Sequence, residues 1–418
     1  MIDQKTTIPK GWKMTTLGEI PESWQLTTAE KFCLKVADGT HATPKPVLNG
    51  RYLVTSKHIK SGKVDLTSAY LISQNDFEEV NKRSKVDQWD VLFSMIGTVG
   101  EIAIIDKDPD FAIKNVGLFK CGSEYKAKWL FYFLRGKIGQ GEIQRRMNGT
   151  TQSYVTLGDL RSFPVIVPSS ADELKAIAAV LSSLDDKIEL LREQNKTLEA
   201  TAQAIFRKWF VEKAKEDWEE GELEDILSVI ESGKRPKSGI DPNLVEGYPS
   251  IGAESINGIG NFSFNSTKFI TADFFQSLKN GVANDFDVLI YKDGAYIGKK
   301  AMFGLGFPFE KFAINEHVFI LRSNEKANQF FLYFLLQQDE LAMLNANSAQ
   351  PGLNQQSMKS FSIIIPPKNL IDEFGSIAKS FVEKILKNAG QIRTLENLRN
   401  ALLPKLMRGE VRVKGFRE

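Results

Sequence analysis

The chain repeats itself. At a separation of 197 residues, Asp90-Val91-Leu92 recurs as Asp287-Val288-Leu289 and Thr197-Leu198-Glu199 as Thr394-Leu395-Glu396, while His58-Ile59 aligns with Ser255-Ile256. Close to the same offset, Phe131-Tyr132-Phe133-Leu134 returns as Leu332-Tyr333-Phe334-Leu335, and FPVIVP (163–168) as FSIIIP (361–366). A Trp followed five residues later by Leu opens each half, Trp12/Leu17 and Trp218/Leu223, and the first half carries a further copy of this opening at Pro21-Glu22-Ser23-Trp24. Chance likeness between apolar strands does not reproduce one offset at so many places. A fixed period marks a repeated structural unit, so whatever the fold is, it is built twice.

Each half changes character at an Ile/Val-Pro step. Before the step lie short β-like runs with Gly-rich turns (Val91–Ile96, Glu101–Ile105, Val288–Tyr291, His317–Leu321) and helix-like runs at Lys128–Leu134 and Ala327–Gln337. After it comes one long helical pattern. Residues 172–215 contain neither Gly nor Pro, and positions 174, 177, 181, 184, 188, 191, 195, 198, 202, 205 and 209 form a heptad broken only by Asn195. Positions 374, 378, 381, 385, 388, 392, 395, 399, 402 and 406 repeat it, with Asn388 and Arg399 as polar intrusions. Pro404 is expected to bend or end the second helix. The expected seam is Leu184, Ile188, Leu191, Asn195 and Leu198 against Phe381, Ile385, Asn388, Ile392 and Leu395.

The fold class expected is α+β: two tandem α/β domains separated by two long helices in an antiparallel, pseudo-two-fold coiled coil. Its boundaries fall at 1–168 (first head), 169–215 (first helix), 216–366 (second head) and 367–418 (second helix and tail). The antiparallel sense follows from reach. A helix of about 40 residues is about 60 Å long at 1.5 Å per residue, whereas a 150-residue head has a radius of gyration of only about 15 Å. An intervening head of that size does not easily return the chain along the rod, so the second helix should start where the first stops. The result expected is a dumbbell. Pairing the ten shared seam positions about their midpoint sets Asn195 against Asn388, small Ala202 against Phe381 and small Ala378 against Ile205. Arg399 falls opposite Leu184, its guanidinium expected to reach water.

Composition narrows the class. With 42% apolar and 25% charged residues the chain is an ordinary globular protein. The N-terminal stretch MIDQKTTIPKGWKM has no apolar core of a signal peptide, and the longest apolar run, Phe330–Leu336, is too short for a membrane span. Cys33 and Cys121 stand far apart outside any C-x-x-C, which makes a reducing cytoplasm the expected compartment. Net charge is +2, and the second head, residues 216–366, is the acidic segment at −8, seven of its acids lying in Glu216–Asp225. Charge alone offers no argument for nucleic acid.

Catalytic patterns are few. His41, His58 and His317 form no H-E-x-x-H, and there is no cysteine cluster for zinc. Gly294–Lys300 is one residue short of a phosphate loop, with Lys300 where Ser or Thr would hold magnesium. No G-x-G-x-x-G opens a βαβ unit, and no N-P-P-aromatic run is present for adenine methylation. Asp90 and Asp287 are read as turn residues rather than acid–base groups.

Two α+β heads, each followed by a heptad helix, resemble the specificity subunit of type I restriction–modification systems over essentially the whole chain. The residues carrying the resemblance in the heads are Asp38–Pro44 (DGTHATP), Gly97–Gly100 (GTVG), Gly149–Gln152 before Tyr154–Leu157, and Gln350–Gln355 (QPGLNQ). On the helices they are Ser183–Ile188 (SLDDKI) and Leu402–Gly409 (LLPKLMRG). The second head departs at the first motif, reading Gly233-Lys234-Arg235-Pro236-Lys237, so it should read different bases. The resemblance implies a non-catalytic adaptor in which each head reads half of a bipartite, asymmetric site on double-stranded DNA. The rod would set the spacer and dock two methylation subunits. No cofactor would bind this chain; S-adenosylmethionine would come with the methylation subunits and ATP with magnesium with the restriction subunits.

Candidate readers are polar residues on Gly-rich turns. In the first head these are Thr40, His41, Lys57, Arg83, Thr98 and Gln152; in the second, Lys234, Arg235, Lys237, Lys292, Tyr296, Lys299, Lys300, Gln350, Asn354 and Gln355. For His41 a structural hydrogen-bonding role stands beside the reading role, and for the basic turn 234–237 a solvated loop does. Phe131 and Tyr333 are expected in the core, and Asp185 and Asp186 on a partner face or in solvent. Two other function classes stay open: a self-sufficient methylase or nuclease, and a scaffold joining two proteins without base preference.

Overall fold

The computed structural model describes residues 8–149, 152–294, 297–337 and 353–413. Two helices dominate it, Ala171–Phe210 and Lys368–Arg408. Acidic Asp172 and Glu173 in the first turn of the first helix, and basic Arg207 and Lys208 in its last, both favour the helix dipole. Pro404 does not end the second helix, which runs four residues further to Arg408. So near the C-terminus, the amide that Pro lacks costs a single hydrogen bond of the last turns. Gly375 is needed for packing rather than flexibility: a Cβ there would lie 2.3 Å from Asn328 Nδ2.

The chain divides into two compact units, Met1–Asp186 with Glu396–Glu418 and Lys187–Leu395, so each head takes part of both helices. In the first unit a four-stranded antiparallel sheet has the order Ile102–Ile104, Asp90–Ser94, Val116–Lys120, Lys35–Asp38. A three-stranded sheet (Phe111–Ile113, Arg51–Val54, Tyr70–Ile72) and the ladder of Gln25–Thr28 with Pro164–Val167 complete the head. The helix Glu124–Arg135 supplies Trp129, Leu130 and Phe133 to the core, all fully buried.

The second unit has the same strand order. Lys300–Met302, Val288–Tyr291, Val318–Ser323 and Leu227–Ser232 lie side by side, with Gly258–Ile259 added at the edge. The sheet Lys268–Ile270, Tyr248–Ile251, Ala313–Ile314 and the ladder Glu219–Glu222 with Ser362–Ile365 match the first head's remaining parts. Even an uncommon backbone state recurs: Trp89 and Phe286, 197 apart, both sit at φ 66 before the buried aspartates of the repeated Asp-Val-Leu. Asp90 receives Asp87 N–H and Asp287 receives Asn284 N–H, each at 2.8 Å, which closes the two turns.

Inside each unit the helix segments run antiparallel. In the second, Asn388 Nδ2 donates to Asn195 Oδ1 and to Gln194 Oε1, both at 2.8 Å, and Phe374 meets Phe206 with ring centroids 5.4 Å apart. The partner number falls as the first helix rises. Ile188, Leu191, Ile385 and Asn388 are buried, and Leu184, Asn195, Leu198, Phe381, Ile392 and Leu395 are half-buried. The strict heptad does not hold to the end of the first helix. Phe206 and Phe210 are buried there, while Ile205 and Trp209 are half-buried. A straight helix turns every 3.6 residues, so a 3.5-residue seam drifts off the contact face, and the head supplies Phe331 and Phe334 to receive the phenylalanines.

In the first unit Arg399 does not reach for water. It donates to Asp185 Oδ1 at 2.6 Å, and Tyr132 donates its hydroxyl to Asp185 Oδ2 at 2.8 Å. Asp185 is thereby committed within its own unit rather than left as a solvated flank. Burial beside this carboxylate pushes the Tyr132 hydroxyl well above its ordinary range.

Asn388 is fully buried, and its Oδ1 has no partner among the described residues. Replacing Asn195 alone by Leu removes one of the two acceptors of the Asn388 amide and should cost about 1–3 kcal/mol, the penalty of a buried N–H left without a partner. Replacing both by Leu should cost less than either single change. Chemical denaturation of the three variants decides it; a double variant weaker than both singles would show that the pair contributes more than its burial costs.

Candidate nucleic-acid interface

Strand register gathers several loops at one end of each large sheet. In the first head Asp38 pairs with Gly117 and Ser94 with Val116, so the loops after Asp38, after Ser94 and before Val116 leave from the same end. Gly39 permits a close approach, since a Cβ would stand 2.4 Å from Ile113 O. Thr40 bridges to Lys114, and its hydroxyl accepts from Ala42 N–H at 3.1 Å. His41 is exposed, yet both ring nitrogens have partners: Asn115 Oδ1 at 2.8 Å and Asp38 Oδ2 at 3.1 Å. Asp38 is buried at the strand end, and Arg83 holds its other oxygen.

Ser56 donates to Asn115 O at 3.1 Å, which brings the exposed Lys57 to the same place. Gly97 N–H donates to Ser153 O at 3.1 Å and Val155 N–H to Met95 O at 2.9 Å. These bonds set exposed Thr98 and Gln152, 54 residues apart, on adjoining loops. All six candidates of the first head thus lie on, or are bonded to, loops at one sheet end. Sequence reasoning missed four others beside them: Lys114, Asn115, Tyr154 (44% exposed) and Arg145, whose helix packs Ile143 under Gly100. Lys114 and Asn115 carry no motif, and only the sheet register reveals their place.

The second head repeats the arrangement with other residues. Ser232 pairs with Phe319, Tyr291 with Val318 and Ile290 with Lys300, so the loops 233–237 and 292–299 and the segment before Val318 converge. Gly233 is again obligatory, its Cβ position lying 1.7 Å from Ile314 O. Lys234 and Lys237 are exposed, whereas Arg235 Nε sits 2.7 Å from Glu316 Oε1. Lys292 is half-buried with its ammonium 4.9 Å from the Phe319 ring centroid. Lys299 is exposed, and Lys300, inside a strand, donates to Gly298 O at 3.0 Å.

Leu353 N–H donates to Lys292 O at 2.8 Å, which places Asn354 and Gln355 beside this turn as Gln152 is placed in the first head. Asn354 spends its Oδ1 capping the helix Gln355–Lys359, accepting from Ser357 N–H at 2.8 Å; Gln355 is exposed. Tyr296 and Gln350 lie outside the described residues.

Among the described residues no group of three or more His, Cys, Asp or Glu could hold a metal ion, and no helix is long and apolar enough to cross a membrane. Cys33 and Cys121 are buried free thiols. What the two sheet ends offer chemically is amides, hydroxyls and cations on tightly fixed loops, the groups that bond phosphates and base edges.

The family model of the type I restriction modification DNA specificity domain matches residues 45–200 and again 215–397. The MjaIX specificity subunit of a type I restriction enzyme from Methanocaldococcus jannaschii is 26% identical, with 96% of this chain and 97% of that protein covered. The HindI specificity subunit from Haemophilus influenzae is 25% identical over 63% of this chain and 75% of its own length. Among solved structures, the S subunit of a type I restriction–modification system from M. genitalium shares the fold at a TM-score of 0.59 and 17% identity, covering 92% of this chain and 96% of that one. With the domain model matched twice over most of its length, the chain belongs to the type I restriction–modification DNA specificity family.

Proposed function

We propose that each head reads one half of a bipartite, asymmetric DNA site through the loops gathered at its sheet end, and that the paired helices set the spacer. The observation that carries this reading is the contrast between frame and loops. The two heads share one strand order, yet present Thr40, Lys57, Thr98 and Gln152 in one and Lys234, Lys237 and Gln355 in the other. A common frame with unlike polar loops suits unlike half-sites. As a specificity subunit the chain does no chemistry itself. Two methylation subunits with S-adenosylmethionine would dock on the outer helix faces, and restriction subunits with ATP and magnesium would join through them, in the cytoplasm.

Exchange of residues 216–366 for the second head of another family member tests the reading. Sequencing of methylated bases in cells that also make the partner methylation subunit should show one half of the marked site changed and the other retained. Hybrids that alter both halves together would refute modular reading, and methylation without base preference would favour a mere scaffold.

A further inference from the structure

We propose that His41 and His317 are positioning residues for base reading, each the centre of a clasp that ties together the recognition loops of its own head. This rests on the reading of the heads as DNA-reading domains. The chain has three histidines, and two of them stand at the converging sheet ends. They are not repeat counterparts, because 197 residues beyond His41 stands Ser238. The heads therefore reach one arrangement from different sequence positions.

In the first head the His41 ring spans the loop after Asp38 and the residue before Val116. Nε2 lies 3.1 Å from Asp38 Oδ2 and Nδ1 2.8 Å from Asn115 Oδ1, while Arg83, from the helix Gln74–Ser84, holds the other oxygen of Asp38. In the second head the His317 ring spans the turn after Tyr291 and the residue before its own. Nδ1 lies 2.8 Å from Asp293 Oδ2 and Nε2 3.4 Å from Glu316 Oε1, which Arg235 also approaches to 2.7 Å. Each clasp thus draws three segments together: 38–41, Arg83 and Asn115 in the first head, and Arg235, Asp293 and 316–317 in the second.

Two consequences follow. Both His41 nitrogens and His317 Nδ1 face acceptors of the protein at 2.8–3.1 Å, and His317 Nε2 faces Glu316 at 3.4 Å, so a base edge would have to compete with the protein for either ring. Carboxylates at a surface that meets phosphate oppose binding, and here Asp38 and Glu316 are each covered by a guanidinium and an imidazole. Because His41 is exposed and His317 only half-buried, the clasps contribute little to global stability. Their effect falls on where the loops are held.

The test uses the complete methylation complex carrying H41A, H41Q, H317A or H317Q. The wild-type site is read first from methylated genomic DNA, and methylation rates are then measured on duplexes with single base changes across each half-site. H41A should lower discrimination about tenfold at several positions of one half-site and spare the other; H317A should do the reverse. Gln presents two amide hydrogens to the same two acceptors and should restore part of the loss. Unchanged discrimination in all variants would overturn the proposal. So would a loss confined to one base pair, the mark of a direct reader, or an equal loss in both halves. A wild-type complex that marks no two-part site would overturn the reading of the heads, and the clasps with it.

Discussion

Adding one heptad to each long helix should lengthen the gap between the two methylated half-sites by about three base pairs and leave the bases read unchanged. Seven helical residues add about 10.5 Å, and successive base pairs are about 3.4 Å apart. The insertions must be made opposite each other, between Leu191 and Arg192 and between Gln391 and Ile392. The seam then stays in phase and Asn195 still meets Asn388. A heptad keeps the seam residues on one face, where an insertion of another length would turn them off the contact. Sequencing of methylated bases measures the gap directly. An unchanged gap from a stably folded variant would rule out the paired helices as the ruler.

Replacing Arg322 by Met should destabilise the second unit by about 3–5 kcal/mol, the cost of leaving one member of a buried ion pair alone. Asp287 is 3% exposed and accepts from Arg322 Nε at 2.8 Å, Arg322 Nη2 at 2.7 Å and Asn284 N–H at 2.8 Å. Burial holds its carboxyl above the usual carboxylate range even with the guanidinium present, and the carboxylate in turn raises Arg322. The pH dependence has a definite sign. A carboxyl raised in the folded state favours folding when protonated, and that contribution is lost as pH rises through its folded pKa. Without Arg322 the carboxyl rises further, so the deficit of R322M should be largest near neutrality and shrink on acidification. Urea denaturation of the full chain at several pH values measures both effects. A loss below about 1 kcal/mol at neutral pH, within the range of one ordinary hydrogen bond, would show that Asp287 does not depend on its partner. In the first head Lys120 does the same work, 2.9 Å from Asp90.

Much of the architecture is legible in the order of residues because it is periodic. A 197-residue offset needs only a comparison of the chain with itself, and a heptad reports its buried face through spacing alone. Antiparallel pairing about a common midpoint joins Asn195 to Asn388, and the structure has them 2.8 Å apart. Position along the helix also explains where the pattern weakened. Near the end of the first helix the neighbours are the head's own Phe331 and Phe334 rather than the opposite helix alone, so Phe206 and Phe210 turn inward in place of Ile205 and Trp209. Similarly, nothing in the letters around Asp185 announces that Tyr132 and Arg399 both bond it.

The candidate loops at the sheet ends divide along the same line. Gly-rich turns named Thr98 and Gln152 as candidates, but only the Gly97–Ser153 hydrogen bond sets their loops side by side. His41 and His317 look like isolated loop residues in the chain, and tertiary structure decides which acceptors surround each ring. By itself, then, the sequence determined two halves, two long helices and the register between their asparagines. Those depend on local spacing, which the order of residues records. Which polar side chains meet at each sheet end was decided by strand pairing across gaps of tens of residues. That pairing depends on how the whole head packs, and no local pattern encodes it.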